Sequence, residues 1–315
     1  MRRLTPILAL CAVLVLAACA KPSGPKAVHQ SHTFPAGAGK LIRLDLRSLD
    51  VRVKVAEGST ISATVDLEAR SSSRAATTRW IERNTPVFED SDSVLEVRLP
   101  GGRHGGVVVF GFLHTEGRIE LVVPPSCRLD VKTSSGDVTI TGEATLSGPV
   151  RVDTSSGDVT VNGGVRELIA DTSSGDVLVT GALTTLEADT SSGDVTLQGG
   201  GERVIVDTSS GDAKLEKLTG DLSADTSSGA VSANWDRLSA GAKIRVRTAS
   251  GNVRLRVPEG TALAGEVDTT SGSIRSDLPG SSDRHTRRMS FEAEGASVGI
   301  EVRTSSGDVS VRAHQ

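Results

Sequence analysis

From residue 126 onward, apolar and polar positions alternate in short runs that break at one recurring corner. In residues 165–182, Leu168, Ala170 and Thr172 alternate with Ile169 and Asp171, and beyond a Ser-Ser-Gly bend Val177 and Val179 alternate with Leu178 and Thr180. Period-two alternation on both sides of a turn predicts two short strands. Neighbouring copies carry Val150, Val152, Val159 and Val161, then Leu186, Ala188, Val195 and Leu197, at the same offsets. The corner phrase is Thr-Ser-Ser-Gly-Asp-Val or a near variant, and its glycines are Gly136, Gly157, Gly175, Gly193, Gly211, Gly229, Gly251, Gly272 and Gly307. Between Gly157 and Gly229 the spacing is constant at 18 residues, and the last gap opens to 35.

A fixed period of this size is the mark of a stacked repeat. Four inward apolar side chains do not offset the ordering of 18 residues, so one rung holds only against its neighbours. An antiparallel meander would send successive identical corners to opposite sides of a sheet, whereas a parallel coil aligns every corner and every inward valine. The expected fold is therefore all-β, a single-stranded parallel β-solenoid of about 18-residue rungs. Nine rungs at about 4.8 Å would make a rod roughly 40 Å long. At each bend, glycine is expected to supply positive φ and the serine hydroxyls to bond nearby backbone.

Residues 34–125 read as an irregular β-rich cap, and 126–315 as the repeat solenoid. Leu44 to Val53 superimposes on Val152 to Val161 as a degenerate first rung. Strands are expected at Thr60–Glu68, Val94–Leu99, Val107–Phe112 and Arg118–Val123, with a helix over Arg74–Asn84. A cap of this kind protects the exposed edge of a solenoid. The 35-residue gap, with Pro279 to Met289, is the expected excursion from the rod.

The first 18 residues read as an export signal: Arg2 and Arg3, then the apolar run Leu4 to Leu16. Leu16-Ala17-Ala18-Cys19 resembles a bacterial lipobox, with Cys19 lipidated and residues 19–33 a flexible tether. Ala20 after that cysteine favours the outer membrane, periplasm-facing or surface-exposed. Cys127 would be the only cysteine left besides the lipidated one, so no intramolecular disulfide is expected, and it reads as a small buried apolar residue. The net charge of −4 argues against nucleic acid, and the 2% aromatic content requires a core of small branched side chains.

Stacking would build two acidic rows, one before the corner and one after it. Asp153, Asp158, Asp171, Asp176, Asp189 and Asp194 are calcium candidates, since a divalent cation would relieve like-charge repulsion; the same carboxylates could instead bond corner amides or stay solvated. Gly37-Ala38-Gly39-Lys40 lacks the first glycine and the Ser/Thr of a P-loop. Arg284, Arg287 and Arg288, with His285, form a basic loop that could contact an anion. The corner serines have no histidine or lysine base recurring beside them, so no catalytic residue and no cofactor is expected.

The repeated phrase, together with Arg118-Ile119-Glu120-Leu121-Val122-Val123-Pro124, resembles the toastrack family of adhesin-like bacterial β-strand repeats over residues 34–315. That resemblance implies a β-solenoid at the cell envelope and a role in adhesion or envelope-stress signalling. The leading expectation is a non-catalytic, lipid-anchored binding scaffold with an envelope protein or glycan as partner. The alternatives are a periplasmic sensing module with a membrane partner and a polysaccharide-active β-helix enzyme.

Overall fold

The computed structural model describes residues 26–71, 73–100, 113–282 and 287–314. The export signal, Cys19, Val107–Phe112, Arg284 and His285 lie outside the described residues. Among the described residues the strands form two sheets, one of 13 strands and one of 14. Each repeat gives one strand to each sheet. Neighbours in the repeat region run parallel and in register, with Val150 beside Leu168, Leu168 beside Leu186 and Val159 beside Val177. The chain is thus a parallel β-solenoid, a flattened coil with two outward faces and one core between them.

The core is a set of columns in which like stacks on like. Leu129, Val150, Leu168, Leu186, Val204, Leu222 and Ile244 form one column, and each is at most 1% exposed. Val138, Val159, Val177, Val195, Ala213 and Val231 form the facing one. Repetition of one side-chain size at each inward position gives close packing without large aromatic residues. Trp235, Phe291 and Phe34 are the exceptions, all buried, and the Trp235 indole Nε1 donates to the Gly220 carbonyl at 2.9 Å.

The corners hold by a different mechanism from the expected one. None of the nine corner glycines has positive φ. Glycine is required by close approach: a Cβ on Gly175 would lie 2.0 Å from the Gly157 carbonyl oxygen, and one on Gly193 would lie 1.9 Å from that of Gly175. The hydroxyl that shapes the bend is threonine's. Thr133, Thr154, Thr172, Thr190, Thr208, Thr226, Thr248, Thr269 and Thr304 are all buried, and each Oγ1 accepts a hydrogen bond from the glycine amide three residues on, at 2.9–3.2 Å. The two serines of the regular copies point to solvent and pair through their backbone, as in Ser192 N to Ser173 O at 3.1 Å.

At the N-terminal end, Leu41–Asp45 and Asp50–Val55 form a true rung, and the Leu49 carbonyl sits 2.0 Å from where a Cβ on Gly136 would be. It is not the outermost rung, because Val94–Arg98 and Leu113–Val123 stack beyond it. Thr60–Ser71 then adds antiparallel to Leu113–Val123, and Lys26–Pro35 adds antiparallel to Thr60–Ser71 at the sheet edge. Residues 26–33 are therefore strand rather than tether. Val28, Gln30, His32 and Phe34 alternate toward the interior, whereas the Pro and Gly residues that suggest a tether end at Pro25. The helix Arg74–Asn84 falls where expected, with Ser73 Oγ capping the Ala76 amide at 3.4 Å and Ile81 buried.

At the other end the stacking order departs from sequence order. Val298–Thr304 lies between Lys243–Thr248 and Leu263–Thr269, and Val309–His314 lies between Val253–Pro258 and Ile274–Ser276. The Gly307 rung is thus inserted between the Gly251 and Gly272 rungs. The long gap makes this possible: Arg288–Glu292 pairs antiparallel on the far edge of Leu263–Thr269, and the chain then turns back underneath. Eleven rungs stack in all among the described residues, about 48 Å end to end.

Candidate functional site

The post-corner aspartates form a hydrogen-bonded ladder along the rod. Asp137 Oδ1 accepts from the Asp158 amide at 3.0 Å, Asp158 from Asp176 at 2.9 Å, Asp176 from Asp194 at 2.8 Å, and Asp194 from Asp212 at 2.8 Å. Asp212 continues the ladder to the Ala230 amide at 2.7 Å. A carboxylate accepting a backbone N–H is a strong, charge-assisted bond. Asp158, Asp176 and Asp194, named above as calcium candidates, thus each use one carboxylate oxygen to fasten the next rung.

The pre-corner row has another character. Asp153, Asp171, Asp189, Asp207 and Asp225 stand in register on the outer face of the 14-stranded sheet, with Lys132 at one end and Arg247 at the other. Lys132 Nζ reaches Asp153 Oδ2 at 2.8 Å. Burial first, then the charges of Asp207, Asp171 and Glu187, push the Asp189 carboxyl above its ordinary range. Among the described residues, no group of three or more His, Cys, Asp or Glu side chains is arranged to hold a metal ion.

On the same face, the row from Arg203 through Asp221 to Lys243 runs into Gly299 and Ala264, where outward side chains give out. The result is an open groove of about 560 Å³ that also includes Ile205, Ser223, Arg245 and Glu301. Glu301 is gripped by three arginines, at 3.1 Å from Arg245, 3.3 Å from Arg247 and 3.5 Å from Arg303. Desolvation acts against ionisation there, but bonds from Arg247 and Arg245 and the charge of Arg303 hold the Glu301 carboxyl below its usual range. This end of the face carries a locked charge cluster rather than a free acid.

The remaining sequence candidates resolve individually. Arg288 is committed to Glu266 at 2.7 Å and Asp268 at 3.5 Å, so an anion there would have to displace two carboxylates. Arg287 gives its carbonyl to the Thr269 amide at 2.8 Å. Lys40, from the failed P-loop, is buried, with Nζ bonded to the Pro35 carbonyl at 2.9 Å and to Asp90 at 2.5 Å. Cys127 is a buried free thiol, and burial raises its pKa despite a hydrogen bond from Ser126 and the charge of Lys40. Not among those candidates, and contrary to the expectation that no such elbow is present, Gly295-Ala296-Ser297-Val298-Gly299 has the spacing of a hydrolase nucleophile elbow, which needs a strand-to-helix turn; here Ser297 precedes the strand Val298–Thr304 and its amide bonds the Ala262 carbonyl at 3.3 Å.

Two features escaped sequence reasoning. The buried threonine hydroxyls repeat as faithfully as the glycines and were there to be read. Arg254, Arg256, Arg275 and Arg312 come together on the outer face of the 13-stranded sheet only because the last rung is inserted, which no periodicity reveals.

A comparison with curated proteins gives no match. Among solved structures, the chain is similar to a proposed lipid-binding protein from Parabacteroides distasonis ATCC 8503, at 13% identity over 93% of this chain and 98% of that one, with a TM-score of 0.50. It is also similar to a proposed adhesin from Parabacteroides merdae ATCC 43184, at 13% identity over 91% and 96% with a TM-score of 0.47. A further proposed adhesin, from Bacteroides fragilis NCTC 9343, aligns at 8% identity over 92% and 97% with a TM-score of 0.41. The family described as Toastrack DUF4097 matches residues 40–312, nearly the whole of the coil, and the chain belongs to that family.

Proposed function

We propose that this chain is a non-catalytic, adhesin-like binding scaffold, held at the cell envelope by a lipid on Cys19. The observation that carries this reading is that the repeated phrase is used up by folding. Its threonine hydroxyl, its glycine and the post-corner carboxylate of the regular copies are committed to the corner and to the next rung. What is left for a partner is two long outward faces built from the non-repeating positions, the extended surface that solenoids use for recognition. No Phe or Trp is exposed among the described residues, so those faces lack the stacking platforms that sugar rings prefer. Rows of Asp, Glu, Arg and Thr suit a charge-matched protein partner, whose encounter would be steered electrostatically.

The test is fractionation with protease shaving of intact cells. Wild type is expected in the membrane fraction, labelled by radioactive palmitate and cleaved by added protease, and Cys19→Ser is expected without label. A wild-type chain that stays protected on intact cells would overturn surface display and favour a periplasmic sensing module. Wild type that takes up no palmitate would overturn the lipid anchor.

A further inference from the structure

We propose that Arg254, Arg256, Arg275 and Arg312 form a binding site for a phosphate-bearing ligand on the outer face of the 13-stranded sheet. Arg254, Ser310 and Arg275 are in-register neighbours across three parallel strands, and Arg256 stands directly beside Arg312. With strands about 4.8 Å apart, the four side chains rise from a patch about 10 Å across. They line an open groove of about 300 Å³ with the Ser310 hydroxyl among them, and Arg312 Nε donates to that hydroxyl at 3.2 Å.

Charge balance sets this groove apart from the arginine cluster around Glu301. Arg245, Arg247 and Arg303 share Glu301, Arg288 holds Glu266, and Arg43 holds Asp130. Among the described residues, none of the four groove arginines makes an ion pair within 4.0 Å. The one carboxylate lining the groove is Asp308, whose Oδ1 already accepts from the Ser273 amide at 2.8 Å and hydroxyl at 3.0 Å. Those bonds, amide first, and then the charge of Arg275 hold the Asp308 carboxyl below its ordinary range.

Like charges directly opposite on adjacent strands are destabilising. Four converging guanidinium groups against a single carboxylate are therefore a cost that an anion would remove. A carboxylate offers two oxygens, enough for one fork. A terminal phosphate offers three in a tetrahedral spread, so several guanidinium forks can bond it at once, each bidentately. The site does not depend on the adhesin-like reading, since it lies on the opposite face from the acidic row and would bind phosphate wherever the chain resides.

The test uses the full chain carrying Cys19→Ser, so that no lipid contributes. Pyrophosphate is titrated calorimetrically in 0.15 M sodium chloride. Co-sedimentation is then measured with phosphatidylcholine vesicles that contain or lack phosphatidylglycerol. Saturable pyrophosphate binding is expected, weakened at least tenfold in the Arg256→Gln/Arg312→Gln double variant and unchanged in Arg151→Gln on the other face. Preference for phosphatidylglycerol vesicles, lost in the same double variant, identifies a lipid headgroup; pyrophosphate binding without vesicle preference identifies a soluble phosphate compound. Melting of the double variant at or above the wild-type temperature shows that lost binding is not lost folding, and Arg254→Gln/Arg275→Gln serves as the second pair if it melts lower. Absence of binding to both probes, or binding by both double variants at wild-type strength, overturns the proposal.

Discussion

Replacing Gly193 by alanine places a methyl group 1.9 Å from the Gly175 carbonyl oxygen, against backbone that cannot swing aside. An ordinary carbon–oxygen contact needs about 3.2 Å, so the two rungs must part by about 1.3 Å at that corner. Three bonds between those rungs run through the same few residues: Ser192 N to Ser173 O at 3.1 Å, Asp194 N to Asp176 Oδ1 at 2.8 Å, and Val177 N to Asp194 O at 2.9 Å. Lengthened by about 1.3 Å, all three fall outside hydrogen-bonding range. At about 0.5–1.5 kcal/mol each, their loss totals roughly 1.5–4.5 kcal/mol. Gly58 is the matched control, because a Cβ there meets nothing within 4 Å and its φ is not positive. Gly58→Ala should be neutral or stabilising by up to about 1 kcal/mol through the unfolded state. Urea denaturation followed by far-ultraviolet circular dichroism compares the two. A Gly193→Ala midpoint within experimental error of wild type would show that the glycine column is not set by close approach.

Thr190→Val keeps the side-chain shape but leaves the buried Gly193 amide without its acceptor, and should cost about 1–3 kcal/mol, whereas Ser191→Ala should cost under about 0.5 kcal/mol; chemical denaturation separates them. Asp189→Asn should stabilise: two flanking aspartates at about 4.8 Å repel by about 0.9 kcal/mol each in water, roughly halved by physiological salt, so the gain is about 1 kcal/mol and shrinks in 1 M sodium chloride. The pH profile carries opposing signs. Asp189, raised in the fold, takes up its proton before the unfolded chain does, so stability grows as pH falls through its folded value toward the unfolded one. Glu301 and Asp308, lowered in the fold, contribute stability that is complete above their unfolded values and is lost as pH falls through the folded ones. Wild-type melting temperature should therefore fall less steeply on acidification than that of Asp189→Asn, and coincident acid limbs would contradict this balance. Cys127, buried and with its thiol pKa raised, should resist an aromatic disulfide reagent until urea unfolds the coil.

Strand positions, inward columns and the helix were legible because period and side-chain type act locally. Leu168, Ala170 and Thr172 announce their own orientation. The corner was legible in place but not in cause: glycine is compatible with both positive φ and close approach, and only the neighbouring rung decides between them. Strand Lys26–Pro35 was obscured because its alternation includes Gln30 and His32, which are half-buried at a sheet edge rather than sealed in the core. The arginine groove was not legible, since sequence order would set Arg254 directly against Arg275 and keep Arg312 outside both. Nonlocal topology, not composition, assembles that site.

The inserted last rung also constrains how the molecule is made. Residues 298–314 leave the ribosome after residues 243–276, yet they must enter a slot whose two walls are built from those earlier residues. Assembly cannot simply follow synthesis from one end to the other. The Gly251 edge has to stand unpaired until residues 298–314 arrive, and the Gly272 pair cannot reach its final seat before then. A chain cut before residue 298 would lose one rung by deletion and strand a second with nothing to rest on. Synthesis through residue 314 becomes the condition for closing the fold.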